Sequence, residues 1–179
     1  MGEGEFAEIY ARLRDPIFRF AVGRLSPEQA KDVVADTFEV VWRKRDECPA
    51  DPDEWPAWIV GIARKKILQE IDRVSRKHHD GRFIADHASS SDGGVVSDVA
   101  EVVAASASGR WVWNQLSSAE RELLDLAFIL RIDREEGAQI LGLTPTAYAT
   151  RLTRLRQRIV RLDAESTETS TNELLGGTP

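Results

Sequence analysis

Apolar residues recur at intervals of three and four over most of the chain, which is the spacing of amphipathic helices. One such run covers residues 6–20. A second begins after Ser26 and Pro27, a pair typical of a helix N-terminus, and extends to about Arg45. A third covers residues 53–79. Because no stretch sustains the two-residue alternation of a half-buried strand, the pattern predicts an all-α protein.

Residues 80–97 contain few large apolar side chains and many Ser and Gly residues, the composition of a flexible linker. We therefore predict two small helical domains on either side of it, residues 1–79 and residues 98–163. The last segment, residues 164–179, is rich in Ser, Thr and Gly, and we predict a disordered tail there.

The second domain contains the sharpest local motif. Residues 134–141 form a short predicted helix, which Gly142 can end in a left-handed conformation. Thr144 and Pro145 can then begin a helix that extends to about Leu162. This is a helix-turn-helix, whose second helix lies in the major groove of duplex DNA. The alternative is an ordinary helical hairpin with an Arg-rich solvent face. The side chains that we expect to face DNA are Thr146, Ala149, Thr150, Arg151 and Arg154.

The charge distribution favours nucleic-acid binding more than the overall charge does. The 179 residues carry a net charge of -6, and residues 1–63 contain 8 basic and 13 acidic residues. Residues 64–82 instead contain 7 basic and 3 acidic residues, and residues 131–162 contain seven Arg and three acidic residues. Two basic segments in an acidic chain indicate two DNA contacts beside a surface for another partner. Solvated helix faces would give the same charges.

Composition also bears on location. Cys48 is the only cysteine, so no intrachain disulfide can form and a reducing compartment fits. No apolar run approaches the roughly 20 residues that cross a bilayer, and the first residues lack the pattern of a signal peptide. We therefore expect a cytoplasmic protein without membrane insertion.

The third predicted helix combines aromatic and basic residues, a combination that suits stacking of unpaired bases and neutralisation of their phosphates. The alternative is that Trp55 and Trp58 belong to the core, which we prefer for Trp58. The candidates on this helix for contact with unpaired DNA are Trp55, Arg64, Lys65, Gln69, Arg73 and Arg76.

The second predicted helix has a different character. It presents Asp32, Asp36 and Glu39 among apolar residues, a face that would repel DNA and favours a protein partner.

Taken together, these segments resemble the extracytoplasmic-function (ECF, group IV) sigma factors, the smallest members of the sigma-70 family. The similarity covers about residues 6–77 and 98–162, in the family's order. The segments that carry it are residues 6–10 (FAEIY), 16–21 (PIFRFA), 30–43 (AKDVVADTFEVVWR), 58–64 (WIVGIAR), 116–122 (LSSAERE) and 138–143 (AQILGL).

The resemblance implies a transcription initiation factor that binds core RNA polymerase, through its β′ and β subunits, and directs it to promoters. The first domain, sigma2-like, would dock on the β′ clamp and hold the -10 element, while the second, sigma4-like, would bind the -35 element. An anti-sigma factor or an accessory protein is a further implied partner. The implied polymerase contacts are Asp32, Asp36, Glu39 and Trp42.

Two other functions compete with this one. A free-standing helix-turn-helix regulator would bind a duplex operator without polymerase. A metal enzyme would have to use His78, His79, His87 and Cys48, but adjacent histidines point in different directions on a helix and no HExxH or paired-cysteine spacing is present. We therefore expect no catalytic activity, no metal and no cofactor.

Overall fold

The computed structural model describes residues 1–80 and 107–175, and within these ranges the chain is built from α-helices. The all-α prediction is therefore confirmed for this part of the chain. The chain divides into two compact units, Met1–Val95 and Val96–Pro179. The first contains α1 (Glu3–Val22), α2 (Pro27–Arg43) and α3 (Trp55–Asp80), and the second contains α4 (Ala107–Asn114), α5 (Ser118–Leu124), α6 (Arg134–Leu141) and α7 (Pro145–Leu175).

In the first unit, α1, α2 and α3 pack against one another around an aliphatic and aromatic core. The cap of α2 follows the sequence prediction, since the Ser26 hydroxyl accepts the backbone N–H of Gln29 at 3.4 Å and Pro27 begins the helix. A short 3-10 turn, Pro52–Glu54, leads into α3. The largest fully buried apolar side chains of this core are Ile17, Phe20, Val41, Ile59, Val60 and Ile67.

An aromatic cluster joins α1 to α2 at one end of this unit. The rings of Tyr10 and Phe38 are 4.7 Å apart and those of Phe6 and Trp42 are 4.9 Å apart, both edge to face. Phe38 is buried, whereas Tyr10 and Trp42 remain 37% and 36% exposed. Such pairs contribute about 0.5–1.5 kcal/mol beyond the area they bury, so the cluster fixes the spacing of the two helices.

In the second unit, α6 and α7 form the predicted helix-turn-helix. Asp133 accepts the backbone N–H of Glu136 at 2.8 Å and caps α6, and Gly142 ends that helix with φ 66° and ψ 35°. The Thr144 hydroxyl then accepts the backbone N–H of Ala147 at 3.2 Å at the start of α7. The predicted short helix, its end at Gly142 and the start of the next helix at Thr144 and Pro145 are confirmed. The buried residues around them are Leu116, Leu123, Leu124, Ala138, Tyr148 and Leu155.

The structure corrects one prediction about the end of the chain. Helix α7 continues to Leu175, whereas the sequence analysis ended it near Leu162 and predicted a disordered tail over residues 164–179. Residues 163–175 contain neither Gly nor Pro, so nothing in their sequence ends the helix. Residues 81–106 and 176–179 lie outside the described residues, and with them most of the predicted linker and the first part of the helix predicted over 98–114.

None of the described helices is both long enough and apolar enough to cross a membrane.

Candidate functional site

Helix α2 presents the four candidates for a protein partner on one face. Asp32, Asp36, Glu39 and Trp42 are exposed and follow one another at intervals of three and four. The opposite face is buried against the neighbouring helices, and there the Thr37 hydroxyl donates to the Val33 carbonyl at 2.6 Å. Because the buried side is fixed by the core, the outward face has a defined orientation.

The contacts of this face are few and lie near the surface. A carboxylate oxygen of Glu39 is 3.8 Å from the Arg43 guanidinium, and one of Asp36 is 3.2 Å from the ammonium of Lys66 on α3. The Arg45 guanidinium lies over the Trp42 ring at 4.6 Å. The face therefore combines accessible carboxylates with the edge of an indole, which suits a partner with basic and apolar groups.

Helix α3 carries most of the basic candidates on its exposed side. Lys65, Gln69, Arg73 and Arg76 are all exposed at helical spacing, whereas Arg64 is half-buried. Arg76 also donates from Nε to the main-chain carbonyl of Asp72 at 3.2 Å. The structure thus brings these side chains onto one surface, on which cationic and amide groups could contact a nucleic-acid backbone.

A hydrogen-bond chain fixes one of these side chains. Arg73 donates to Glu70 from Nε at 2.7 Å and from Nη2 at 2.5 Å, and Gln29 of α2 donates to the same carboxylate at 2.9 Å. The hydrogen bonds and the charge of Glu70 raise the pKa of the Arg73 guanidinium. Arg73 is therefore held by a bidentate pair within α3, and the bond from Gln29 ties the same carboxylate to the first turn of α2.

Trp55 is not available for stacking, and its predicted DNA-binding role is corrected. Its side chain is only 8% exposed, and its indole N–H donates to the Pro49 carbonyl at 2.9 Å. The ring thus anchors the loop that leads into α3, a contact that the helical periodicity of the sequence did not indicate. Trp58 is half-buried, in keeping with the preference for a core position.

Helix α7 presents the helix-turn-helix candidates as predicted from the periodicity. Thr146, Thr150, Arg151 and Arg154 are exposed and Ala149 is half-buried. The Thr150 hydroxyl donates to the Thr146 carbonyl one turn earlier at 2.8 Å. Since Tyr148 and Leu155 are buried on the opposite side, the polar residues form an outward surface of small hydroxyl and guanidinium groups.

The close approach of α6 and α7 depends on Gly137. A Cβ at this position would lie 2.9 Å from three atoms of the Tyr148 side chain. Tyr148 is 2% exposed, and its hydroxyl is buried without a hydrogen-bond partner among the described residues. Burial, and secondarily the charge of Asp133, raise the pKa of this phenol.

A second polar network ties α5 to the middle of α7. The Arg158 guanidinium bonds the Glu120 carboxylate and donates from Nη2 to the Gln115 carbonyl at 3.0 Å. Burial raises the pKa of Glu120, but hydrogen bonds from the Ser117 N–H and hydroxyl and from Arg158 outweigh it and hold the pKa below its usual value. Arg158 is thus engaged within the second unit, whereas Arg151 and Arg154 face outward.

The residues considered for a metal give no cluster in the described part of the chain. There, no group of three His, Cys, Asp or Glu side chains is placed to hold an ion. Cys48 is half-buried, with its sulfur 3.7 Å from the Met1 ammonium. His87 and the side chains of His78 and His79 lie outside the described residues.

Comparison with known proteins gives a family match within the first unit. Residues 9–77 match the family Sigma-70 region 2, which spans α2 and most of α1 and α3. No curated protein shows significant similarity to the chain.

Two solved structures share the fold at low sequence identity. The first is the sigma factor RpoE in complex with the anti-sigma factor NepR from Bartonella quintana, 24% identical, with a TM-score of 0.62 over 88% of this chain and 95% of that one. The second is CnrH in complex with the cytosolic domain of CnrY, also 24% identical, with a TM-score of 0.56 over 88% of this chain and 86% of that one. The first unit is therefore similar to sigma-70 region 2, and the chain shares the helical fold of the sigma factor RpoE.

Proposed function

We propose that this protein is an ECF-class sigma factor, a cytoplasmic non-enzymatic protein that binds core RNA polymerase and directs it to promoters. The observation that carries the proposal is the match of residues 9–77 to sigma-70 region 2, followed in the second unit by a helix-turn-helix with an outward polar surface. One chain then holds both a polymerase-binding domain and a duplex-binding domain.

In this proposal the outward face of α2 docks on the β′ clamp of polymerase. Asp36 and Glu39 would pair with basic groups, and the exposed edge of Trp42 would be buried against apolar ones. Aromatic side chains that are partly exposed in a free protein are common anchors of interfaces.

The exposed side of α3 would hold the opened -10 element. Lys65, Arg73 and Arg76 would neutralise phosphates, and Gln69 would hydrogen-bond to base edges. Unstacking a base costs a few kcal/mol, which contacts to the captured strand must offset. With Trp55 buried, the charged and amide side chains of α3 would carry these contacts.

The outward face of α7 would bind the duplex -35 element in the major groove. Arg151 and Arg154 can bond guanine edges or phosphates, while Thr146, Ala149 and Thr150 are small enough to let the helix approach the groove. Holding both promoter elements on one chain raises the effective concentration of the second contact.

The test is transcription in vitro with sigma-free bacterial core polymerase and genomic fragments as templates. We expect transcripts from defined start sites only when this protein is added. The charge-reversal variant Asp36→Lys should remove these transcripts and lose binding to core. Its matched control is Glu8→Lys on α1, which should retain both, since Glu8 is exposed and lies on the side of α1 opposite Phe6 and Tyr10, the residues that pack on α2.

If the protein binds duplex DNA tightly but neither binds core nor supports transcription, the sigma role fails. The free-standing regulator, which needs only the helix-turn-helix, would then explain the structure. In that case Asp36→Lys would leave duplex binding unchanged and Arg154→Ala would weaken it.

A regulatory partner that occupies the sigma factor is part of the same proposal. Both solved structures above are complexes, RpoE with an anti-sigma factor and CnrH with the cytosolic domain of CnrY. The exposed aromatic edges of Tyr10 and Trp42 offer a surface for such a protein. We expect an anti-sigma protein to compete with core polymerase, so adding core should displace it from the purified complex.

A further inference from the structure

The Lys66 side chain bridges the two helices of the first unit that carry the proposed binding faces, α2 and α3. Its ammonium is 3.2 Å from a carboxylate oxygen of Asp36 on α2, although Lys66 belongs to α3 and neighbours the exposed Lys65. The Lys66 side chain is 28% exposed, so it still reaches solvent. The pair therefore connects a carboxylate of the proposed polymerase-binding face with a cation beside the proposed DNA-binding face.

The neighbouring pair of Arg73 and Glu70 differs from this one in accessibility. The Glu70 side chain is only 16% exposed and receives hydrogen bonds from both helices. The Asp36 side chain is 56% exposed. A solvent molecule, an ion or a partner can therefore reach the carboxylate of Asp36, whereas that of Glu70 is held within the packed helices.

We infer that Lys66 is a further DNA-binding residue of α3 and that Asp36 sets the strength of this contact from α2. In the free chain the carboxylate neutralises the ammonium, so a DNA phosphate must compete with Asp36 for it. Exposed ion pairs are weak, and Lys is a flexible point charge, so the competition changes affinity by a few-fold and does not block binding. The inference rests on the proposed contact between α3 and the -10 strand.

A partner that engages the carboxylate of Asp36 would have the same effect as removing its charge. Polymerase docking on α2 would then strengthen the hold of α3 on DNA through Lys66. Asp36 would thus have two roles, one at the polymerase interface and one as the positioning residue of a DNA contact.

The test is a double-mutant cycle on the full chain, with binding of a labelled single-stranded oligonucleotide measured by fluorescence anisotropy. We expect Asp36→Asn to tighten binding about 3- to 5-fold at low salt and to increase the slope of log affinity against log salt by about 0.7, the value for one additional phosphate contact on a single strand. In the background Lys66→Gln, the same change should alter affinity by less than about 1.5-fold.

The matched control is Glu28→Gln, which removes one charge from α2 at an exposed position without an ion pair in the described part of the chain. It should change affinity by less than about 1.5-fold at the same salt. Circular dichroism would verify that each variant keeps its helical content.

The inference is overturned if Asp36→Asn tightens binding no more than Glu28→Gln, or if the gain persists when Lys66 is Gln. It is also overturned if the chain and all variants fail to bind the oligonucleotide. Because this assay contains no polymerase, its failure can be told apart from failure of the transcription assay. An intact cycle together with failed transcription would retain the DNA contact of Lys66 and reject the sigma factor.

Discussion

The contact between Gly137 and Tyr148 shows how a single missing side chain sets the geometry of the helix-turn-helix. The α-carbon of Gly137 faces the phenol ring so closely that an added methyl group would lie 2.9 Å from it. Because Tyr148 is buried, its ring has little room to move away. The spacing of α6 and α7 therefore depends on the absence of a Cβ at this position.

Gly137→Ala should destabilise the second unit by about 1–3 kcal/mol, since overpacking outweighs the gain in helix propensity. Gly61→Ala is the matched control, because a Cβ there meets no atom within 4 Å and the substitution should stabilise the first unit by about 0.5–1 kcal/mol. Calorimetric unfolding of both variants measures the difference. An unchanged or raised melting temperature of the second unit in Gly137→Ala would contradict the close contact.

The Tyr148 hydroxyl provides a test that depends on pH. Tyr148→Phe should leave the unfolding free energy unchanged or raise it by up to about 1 kcal/mol at neutral pH, since a buried hydroxyl without a partner costs free energy. The raised pKa of this phenol favours the protonated form in the folded state.

The pH dependence follows from that direction. Above pH about 10, where the unfolded phenol ionises, the wild type should lose stability relative to Tyr148→Phe. Urea unfolding at pH 8 and pH 10.5 measures this difference. A constant difference between the two proteins would show that the hydroxyl is not buried.

At the scale of elements, the joint between α5 and α7 combines a helix cap with a long-range ion pair. Glu120 bonds Ser117 within the capping box of α5 and also Arg158 of α7. The cap alone would fix only the N-terminus of α5, but the Arg158 guanidinium connects that cap to the middle of α7, the longest described helix. Loss of the Glu120 carboxylate should therefore weaken both the cap of α5 and its packing on α7.

Glu120→Gln should destabilise the second unit by about 1–2 kcal/mol at pH 7. The lowered pKa of Glu120 means that its contribution is present above pH about 4.3 and is lost as pH falls through the folded-state pKa. The difference between wild type and variant in urea unfolding should thus shrink as pH is lowered from 5 towards 2. Glu135→Gln, which alters an exposed pair with Arg134, is the control and should change stability by less than about 0.5 kcal/mol. A difference that stays constant from pH 7 to pH 2 would exclude the charged pair as its source.

Much of the element pattern could be predicted because it depends on neighbouring residues. Ser26, Gly142 and Thr144 cap or end helices through contacts within four residues, and the structure has them there. The bond of Trp55 to the Pro49 carbonyl depends on how a loop folds back, which periodicity does not encode. The extension of α7 past Leu162 was not predicted, because its residues have the polar composition of a tail although none of them is a Gly or Pro that would end a helix.

The candidate sites also separate into features that depend on nearby residues and features that depend on the packing of distant ones. Exposure of Thr146, Thr150, Arg151 and Arg154 follows from helical phase alone, and the structure places them on the outward side of α7. The pairing of Lys66 with Asp36 spans 30 positions and depends on the packing of two helices, so it could not be predicted from the pattern of residues along the chain.

At the scale of the whole molecule, the proposed polymerase and duplex contacts belong to different compact units. Each unit has its own core, so a surface substitution in one should leave the other folded. Loss of polymerase binding and loss of duplex binding should therefore be separable by mutation, although transcription requires both.

Trp42→Ala should weaken core binding about 10-fold or more and leave binding of a duplex -35 fragment within about 2-fold. Arg154→Ala should do the reverse, weakening the duplex complex about 5- to 100-fold while core binding stays within about 2-fold. Both variants should reduce transcription from the same promoter. Titrations of core polymerase and of the duplex measure the two affinities, and coupled losses in either variant would contradict independent contacts.

The division of α7 into an inward apolar side and an outward polar side has a consequence for protein engineering. Thr146, Thr150 and Arg154 lie outside the core formed by Tyr148 and Leu155, so substitutions there by residues that suit a helix should cost little stability. Randomising the outward positions should give a library in which most members fold and differ only in the DNA they prefer. Variants with different recognition helices on the same scaffold could then control separate sets of genes without binding one another's DNA sites.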